Sequence, residues 1–260
     1  MGWRARLGLV VPSSNTTAEP EIEAYTPAAV SVHGARMSLE SVTADALDSM
    51  AADAEQAATL LGHADVDAVA YACTTGSLLH GPGFDAELEE TIATAAGAPA
   101  VATALSVDRA LSALGARRIA VATPYVEDLD ERERDYLEAA GYEVVAMDGR
   151  GLAENTAIGA LRPGDAYRQA RAVVERAEEQ QESDQDGNPI DAVFISCTNY
   201  RTLPVVETLE ADLGVPVVTS NLATLWDVTR AAGISIDGPG TLFETNADSN
   251  AERTAKHHTS

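Results

Sequence analysis

Lysine is almost missing from this sequence. Lys256 is the single lysine, so arginine supplies nearly all of the seventeen basic residues, against forty-one acidic residues and a net charge of −24. A strongly acidic surface repels nucleic acids and anionic membranes, because proteins bind both by neutralising phosphates with Lys and Arg. We therefore expect neither a nucleic-acid partner nor a membrane.

The acidic residues are spread along the chain, and aromatic residues make up only 5% of it. One interpretation is an ordinary soluble acidic enzyme. The other is a halophilic protein from a high-salt cytoplasm, where concentrated cations screen the self-repulsion of a charged compact state. The scarcity of lysine favours the high-salt interpretation.

Long apolar runs and targeting signals are also missing. No stretch approaches the 18 uninterrupted apolar residues of a membrane span. The N-terminal residues MGWRARLGLVV lead directly into a short apolar strand, without a small-residue cleavage site. We expect a cytoplasmic protein.

Signatures of metals and cofactors are missing as well. Two cysteines cannot build a disulfide framework, and the five histidines do not cluster. The segment DGRGLAE lacks the third glycine of a dinucleotide-binding loop, and no phosphate-binding loop of the G-x-x-x-x-G-K type occurs. We expect no metal and no cofactor.

The chain does contain strand patterns that alternate with helix patterns, which is typical of an α/β protein with parallel sheets. With 260 residues, 45% of them hydrophobic, it can bury a substantial core. We predict strands over 6–11, 28–37, 66–73, 99–103, 118–123, 142–147, 191–197 and 215–219. We predict helices over 44–61, 84–96, 107–114, 131–140, 165–179 and 222–232.

The two halves of the sequence repeat each other. VDAVAYACTTGS parallels IDAVFISCTNYR, GAPAVATALS parallels GVPVVTSNLA, and RLGLVVPSSN parallels RIAVATPYVE, all in the same order. The repeat predicts two pseudo-symmetric lobes, each with a four-stranded parallel sheet flanked by helices, and a site in the cleft between them. We assign 1–104 plus 220–236 to the first lobe, 105–219 to the second, and 237–260 to a flexible tail.

The two cysteines occupy matching points of the repeat. Cys73 and Cys197 each end a predicted strand, and each is followed by threonine. Ligands of parallel sheets bind at this edge, where backbone N–H groups can lower the pKa of a thiol. Either cysteine alone could be a buried structural residue, but their equivalence in the two halves favours catalysis by both.

Other polar residues fall at the same sheet edge. Asn and Tyr side chains in the turns there can hold a carboxylate without a formal positive charge, although Asn15 could instead cap a helix and Tyr125 could be packing. Arg201 could contact a substrate carboxylate or a neighbouring acid. The candidate substrate-binding residues are Asn15, Tyr125, Asn155, Thr74, Thr75, Thr198 and Asn199.

These segments resemble the aspartate/glutamate racemase superfamily, and within it the branch of maleate cis–trans isomerases and arylmalonate decarboxylases. The resemblance rests on VPSSNT with Asn15, ACTTGS with Cys73, TPY with Tyr125, ENTAIG with Asn155 and SCTN with Cys197, and it extends over about residues 6–232. The run SCTNYRT also resembles isomerase-like proteins of ectoine breakdown.

The resemblance implies a cofactor-independent isomerase that acts on a small dicarboxylate and assembles as a homo-oligomer, a dimer or a tetramer. Cys73 would add to the double bond of maleate, and Cys197 would handle the proton on the neighbouring carbon. The alternatives are a two-cysteine racemase or epimerase, an arylmalonate-type decarboxylase that uses Cys197, and a non-catalytic small-molecule sensor. The presence of Cys73 favours isomerase or racemase chemistry.

Overall fold

The computed structural model describes residues 3–39, 44–76, 83–180 and 189–245. Within these residues the chain forms eight β-strands and nine α-helices that are numbered below, and residues 241–245 are also helical. The strands are β1 (Ala5–Pro12), β2 (Val30–Met37), β3 (Ala68–Tyr71), β4 (Ala100–Ala102), β5 (Arg118–Thr123), β6 (Glu143–Gly149), β7 (Ala192–Ile195) and β8 (Val217–Thr219). The helices are α1 (Ala18–Tyr25), α2 (Ala44–Gly62), α3 (Phe84–Ala96), α4 (Thr103–Ala113), α5 (Glu127–Ala139), α6 (Asn155–Gly159), α7 (Pro163–Gln180), α8 (Val206–Leu213) and α9 (Ser220–Ala231).

The strands form two parallel sheets with the same topology. The first has the order β2-β1-β3-β4 and the second the order β6-β5-β7-β8, and every paired strand is parallel to its neighbour. The central strands β3 and β7 are buried along their whole length, as expected for strands that helices cover on both faces. The predicted fold class, two four-stranded parallel sheets flanked by helices, is confirmed.

The internal repeat extends to individual hydrogen bonds. Asp67, just before β3, accepts a hydrogen bond from the backbone N–H of Arg6 (2.7 Å) and donates its own N–H to the Arg6 carbonyl (2.7 Å). Asp191, just before β7, makes the same pair of bonds with Arg118, at 2.8 and 2.7 Å. Equivalent aspartates therefore fix the start of each central strand pair.

Helix α9 joins the two halves. Its residues from Ser220 to Thr229 are all buried, and the helix contacts β3 and β4 of the first sheet as well as β8 of the second. The hydroxyl of Thr224 lies 2.8 Å from that of Thr103 on α4. A helix that is buried on every side belongs to the core between two layers.

The structure differs from the predicted elements mainly in short helices. Helices α1 and α8 were not predicted; each has only eight residues, and α1 begins next to polar turn residues. Helix α5 begins at Glu127 rather than 131. The first part of the predicted tail is packed, because Leu242 is fully buried and Glu210 accepts a bond from the N–H of Thr241 (2.9 Å). Residues 246–260 lie outside the described residues.

Candidate active site

The two cysteines lie at the carboxyl ends of the central strands. Cys73 lies two residues beyond Tyr71, the end of β3, and Cys197 lies two residues beyond Ile195, the end of β7. Both are buried and both are free thiols. They line the same cavity between the lobes, which is the arrangement that the repeat predicted.

Cys73 is surrounded by hydrogen-bond donors. Burial raises the pKa of its thiol, but four hydrogen bonds oppose that rise: those from the backbone N–H groups of Gly76 and Thr75 and from the hydroxyls of Thr75 and Tyr71. The Thr75 hydroxyl oxygen lies 3.6 Å from Sγ. A thiolate formed here is well solvated by the protein, and thiolate is the nucleophilic form of cysteine.

Cys197 has a less favourable environment for a negative charge. Burial raises the pKa of its thiol to about 12, and only the Tyr125 hydroxyl and the N–H of Asn199 act in the opposite direction. Negative charge on Cys73 and on Glu133 raises that pKa further. Cys197 therefore holds its proton at neutral pH, which suits a proton donor.

The backbone at Cys197 is strained. Its φ is 90°, one of two positive values at non-glycine residues in the described chain. A side chain at positive φ brings Cβ close to the backbone, at a cost of about 1–2 kcal/mol, and such residues cluster at functional sites. Ser220, at the first position of α9, accepts a hydrogen bond from the N–H of Cys197 (3.0 Å), which holds this turn.

Asn15 links the two lobes beneath the cavity. Its Oδ1 accepts from the N–H groups of Thr17 (2.9 Å) and Ala18 (3.0 Å), so it caps the start of α1. Its Nδ2 donates to the hydroxyl of Thr198 (3.0 Å), which in turn donates to the carbonyl of Ala72 (3.0 Å). Asn15 thus caps a helix and also lines the cavity. Its role as a helix cap therefore does not exclude contact with a substrate.

Asn155 and Asn199 form a second link. Asn199 Nδ2 donates to the carbonyl of Asn155 (2.7 Å), while Asn199 Oδ1 accepts from the N–H of Thr16 (2.9 Å). Asn155 Nδ2 donates to the hydroxyl of Ser14 (2.8 Å). These amides hold the three loops of the cavity mouth together.

None of the described residues that line the cavity carries a formal positive charge. The volume of the cavity is ≈ 30 Å³. The residues that line it are Pro12, Asn15, Leu39, Cys73, Thr74, Thr75, Tyr125, Leu129, Leu152, Ala153, Asn155, Ile158, Cys197, Thr198 and Asn199. All nine predicted site residues are in this set, whereas Arg201 is not; its guanidinium donates instead to the carbonyl of Leu161 (3.3 Å).

The described residues hold no group of three or more His, Cys, Asp or Glu side chains with the spacing of metal ligands. In the same part of the chain no helix has the length and apolar character to cross a bilayer.

Four residues close to the thiols were not predicted. Ser220 connects the two cysteine loops, since it also accepts a bond from the Thr74 hydroxyl (3.1 Å). Tyr71 is the last residue of β3, and its hydroxyl hydrogen-bonds to Cys73. Ser196 and Glu133 lie behind Tyr125. One face of α5 carries Leu129, Glu133 and Leu137 at helical spacing. The position of Glu133 between two leucines is a pattern in the sequence that indicates a buried acid.

The sequence matches the arylmalonate decarboxylase family over residues 7–243. The chain belongs to this family. A maleate isomerase of Nocardia farcinica is 32% identical over 250 residues, which cover 92% of this chain and 94% of the relative. An arylmalonate decarboxylase of Bordetella bronchiseptica is 29% identical over 211 residues, which cover 80% of this chain and 84% of the relative.

A solved structure from the same family carries a reaction intermediate. It is a cysteine-to-serine mutant of the Nocardia farcinica maleate cis–trans isomerase with a covalently bound succinylcysteine. Its TM-score to this chain is 0.81 at 29% identity, and the match covers 92% of this chain and 98% of that one. A cysteine of that protein thus carries the four-carbon skeleton of its substrate.

Proposed function

We propose that this protein is a cofactor-independent, two-cysteine cis–trans isomerase that converts maleate, or a related small dicarboxylate, to its trans isomer. The observation that carries the proposal is the pair of unlike thiols in one cavity: Cys73 with four hydrogen-bond donors, and Cys197 with two. The succinylcysteine in the related isomerase supports a covalent route.

The reaction begins at Cys73. Its thiolate attacks one alkene carbon of maleate and forms a carbon–sulfur bond, while Cys197 delivers its proton to the adjacent carbon. The former double bond is now single, so the adduct rotates about it. Cys197 then removes a proton, the carbon–sulfur bond breaks, and the trans diacid leaves, with Cys73 again a thiolate and Cys197 again a thiol.

The substrate carboxylates are bound by neutral donors in this proposal. Asn15, Tyr125 and Asn155 supply amide and hydroxyl groups, and the loops at Thr74–Thr75 and Thr198–Asn199 supply hydroxyls and N–H groups. Several of these donors are paired with one another in the free protein. A carboxylate that replaces those pairs gains charge-assisted hydrogen bonds, which are about twice as strong as neutral ones.

The test compares serine variants at the two thiols. With maleate as substrate, Cys73→Ser should lose isomerisation by at least about 1,000-fold, because a serine hydroxyl is hardly ionised near neutral pH. Cys197→Ser should also be severely impaired, and mass spectrometry should locate a succinyl adduct on Cys73. Proton NMR of fumarate formation measures the rate. Full activity in Cys73→Ser would refute the addition mechanism.

Decarboxylation is the second candidate, favoured by the match to the Bordetella bronchiseptica relative. A decarboxylase of this kind would release CO₂ from an arylmalonate, tolerate Cys73→Ser and fail without Cys197. A racemase would instead exchange the α-proton of an amino acid with deuterium from the solvent and form no adduct. Each outcome is distinct from fumarate formation.

A high-salt cytoplasm is the setting that we propose for the enzyme, on the basis of its net charge of −24 and its single lysine. The midpoint of thermal unfolding should rise as KCl increases from about 0.1 M to above 1 M, since the Debye length falls from about 10 Å to about 3 Å. A midpoint that is flat or falls would contradict this setting. Light scattering in the same buffers tests the homo-oligomer, a dimer or a tetramer, which stays a prediction.

A further inference from the structure

Glu133 is a buried acid behind the second thiol. It lies on α5 with 1% of its surface exposed, although acidic residues are rarely buried without a partner of opposite charge. No ion pair of Glu133 occurs among the described residues. Its Oε2 is buried and has no hydrogen-bond partner in that part of the chain.

Those surroundings favour the neutral carboxylic acid. A carboxylate with one unpaired buried oxygen is costly, whereas a neutral carbonyl oxygen in the same place costs much less. Burial accordingly raises the pKa of Glu133 to about 8, and nearby Asp130 adds to the rise. The acid is thus protonated at neutral pH.

A chain of hydrogen-bonding groups runs from Glu133 to the thiol. The hydroxyl oxygen of Ser196 lies 2.5 Å from Glu133 Oε1 and 3.5 Å from the hydroxyl oxygen of Tyr125. The Tyr125 hydroxyl in turn hydrogen-bonds to Cys197. Of these four hydrogen-bonded residues, only Tyr125 and Cys197 line the cavity. Glu133 and Ser196 can therefore act on a substrate only through Tyr125 and Cys197.

The protonation state of Glu133 decides which group donates and which accepts in each of these hydrogen bonds, because Ser196 and Tyr125 each have a single O–H to donate. When Glu133 is neutral it donates to Ser196, Ser196 donates to Tyr125, and Tyr125 donates to Cys197. When Glu133 is ionised, it accepts a hydrogen bond from the Ser196 hydroxyl. The Tyr125 hydroxyl then donates to the Ser196 oxygen, and Cys197 loses the hydrogen bond from Tyr125.

We propose that Glu133 is a positioning residue whose neutral form aims the Tyr125 hydroxyl, through Ser196, at the Cys197 thiolate of the intermediate. This inference rests on the proposed function, in which Cys197 gives its proton to the substrate carbon and later takes one back. Glu133 keeps its own proton on Oε1 throughout, so no net charge enters or leaves the chain of hydrogen bonds. Ionisation of Glu133 removes the donor and adds a negative charge behind the thiolate.

Among the described residues, few other titratable groups face Glu133. Asp130 lies one turn earlier on α5, and Asp148 on β6 acts on Asp130. Burial raises the pKa of Asp130 to about 6, so it ionises before Glu133 does. The loops after β5 and β7 contribute Tyr125 and Cys197, the members of the chain itself. The alkaline limb that we expect therefore belongs to Glu133.

The test uses Glu133→Gln, which is permanently neutral and can donate to Ser196. The measured quantity is the kcat of Glu133→Gln divided by the kcat of the unmodified enzyme. This ratio should be within about threefold of one at pH 7 and should rise at least about fivefold by pH 9.5. The rise is expected because each pH unit beyond a pKa changes the neutral fraction tenfold. Glu131→Gln, at an exposed position of the same helix, is the control and should give a flat ratio. A flat ratio for Glu133→Gln overturns the inference.

A second measurement does not depend on isomerisation. The chain has two cysteines, so Cys73→Ser leaves Cys197 as the single thiol, and its alkylation by iodoacetamide can be followed by mass spectrometry. Adding Glu133→Gln should speed alkylation of Cys197 several-fold at pH 9.5 and little at pH 7. If the protein does not isomerise maleate but the alkylation rate of Cys197 changes in this way, the proposed function fails and the hydrogen-bond chain stands. If the alkylation rate does not change, the hydrogen-bond chain is refuted.

Ser196→Ala separates positioning from packing. Without the Ser196 hydroxyl, Glu133 can act on Tyr125 and Cys197 only through its charge, so Glu133→Gln should change the pH profile much less. The loss in Ser196→Ala should fall on kcat rather than on KM, because Ser196 does not line the cavity. Equal effects of Glu133→Gln with and without Ser196 would show that Glu133 acts through its charge or the fold and not through the hydrogen bonds of Ser196, and would overturn the proposal.

Discussion

The two halves of the candidate active site have the same backbone plan and different electrostatics. Cys73 and Cys197 each follow a buried central strand by two residues. Each has a tyrosine hydroxyl beside it, Tyr71 for the first and Tyr125 for the second. The first thiol has two further N–H donors and a threonine hydroxyl, whereas the second has one further N–H donor and a buried acid behind it.

This difference separates the roles of two equivalent residues. A duplicated fold supplies two thiols at symmetric points, and neighbouring donors decide which of them ionises first. A nucleophile and a proton donor in one cavity need pKa values that are pushed apart. The sheets can therefore stay nearly identical while the loops beyond them diverge.

The largest effect should appear in the alkylation of the two thiols. With iodoacetamide at pH 8, Cys73 should react faster than Cys197, because four hydrogen bonds oppose the rise in the pKa of Cys73 while burial raises the pKa of Cys197 to about 12. Peptide mass spectrometry of timed samples gives both rates. The urea-unfolded chain is the control, and there the two rates should agree within about threefold. Equal rates in the folded protein would remove the distinction between the halves.

The two tyrosines should differ by a smaller factor. Tyr125→Phe should lower kcat for maleate by about 10- to 100-fold, the range for a hydrogen bond to a charged group of about 1.5–3 kcal/mol. Tyr71→Phe should cost less than about tenfold, because three other donors remain at Cys73. Both variants keep the aromatic ring. A larger loss in Tyr71→Phe would reverse the comparison.

The sequence predicted the symmetric part of this site better than the asymmetric part. The repeat around VDAVAYAC and IDAVFISC placed both thiols, since strand ends and sheet order follow from local patterns. All nine predicted site residues do line the cavity. Their hydrogen bonds were not predictable, because Asn199 uses its side chain to join loops that are far apart in the sequence.

Residues that tune the thiols were missed for a similar reason. Ser220 meets Thr74 and Cys197 only after the lobes pack together. Glu133 was not predicted, although its place between Leu129 and Leu137 at helical spacing indicates a buried position. The long-range part of the site is decided by packing, and periodicity alone carries no information on which residues meet there.

The last difference between the halves is backbone strain at the second thiol, and it should have the smallest measurable effect. Cys197 has a φ of 90°, whereas Cys73 is not among the positive-φ residues of the described chain. Glycine tolerates positive φ, and alanine there is strained by about 1–2 kcal/mol. The free energy of unfolding of Cys197→Gly should therefore exceed that of Cys197→Ala. The expected difference is about 0.5–1 kcal/mol, because the greater entropy of glycine in the unfolded chain offsets part of the relieved strain.

The matched pair at Cys73 should show the opposite order. There the backbone needs no glycine, so Cys73→Ala should be more stable than Cys73→Gly by about 0.5–1 kcal/mol. Each pair removes the same thiol, so the loss of sulfur cancels within a pair, and a chain of this size should show a shift of about 2–4 °C in Tm per kcal/mol. Differential scanning calorimetry of the four variants measures both differences. The same order at both positions would mean that the turn at Cys197 stores no strain, and the halves would then differ in hydrogen bonding and charge alone.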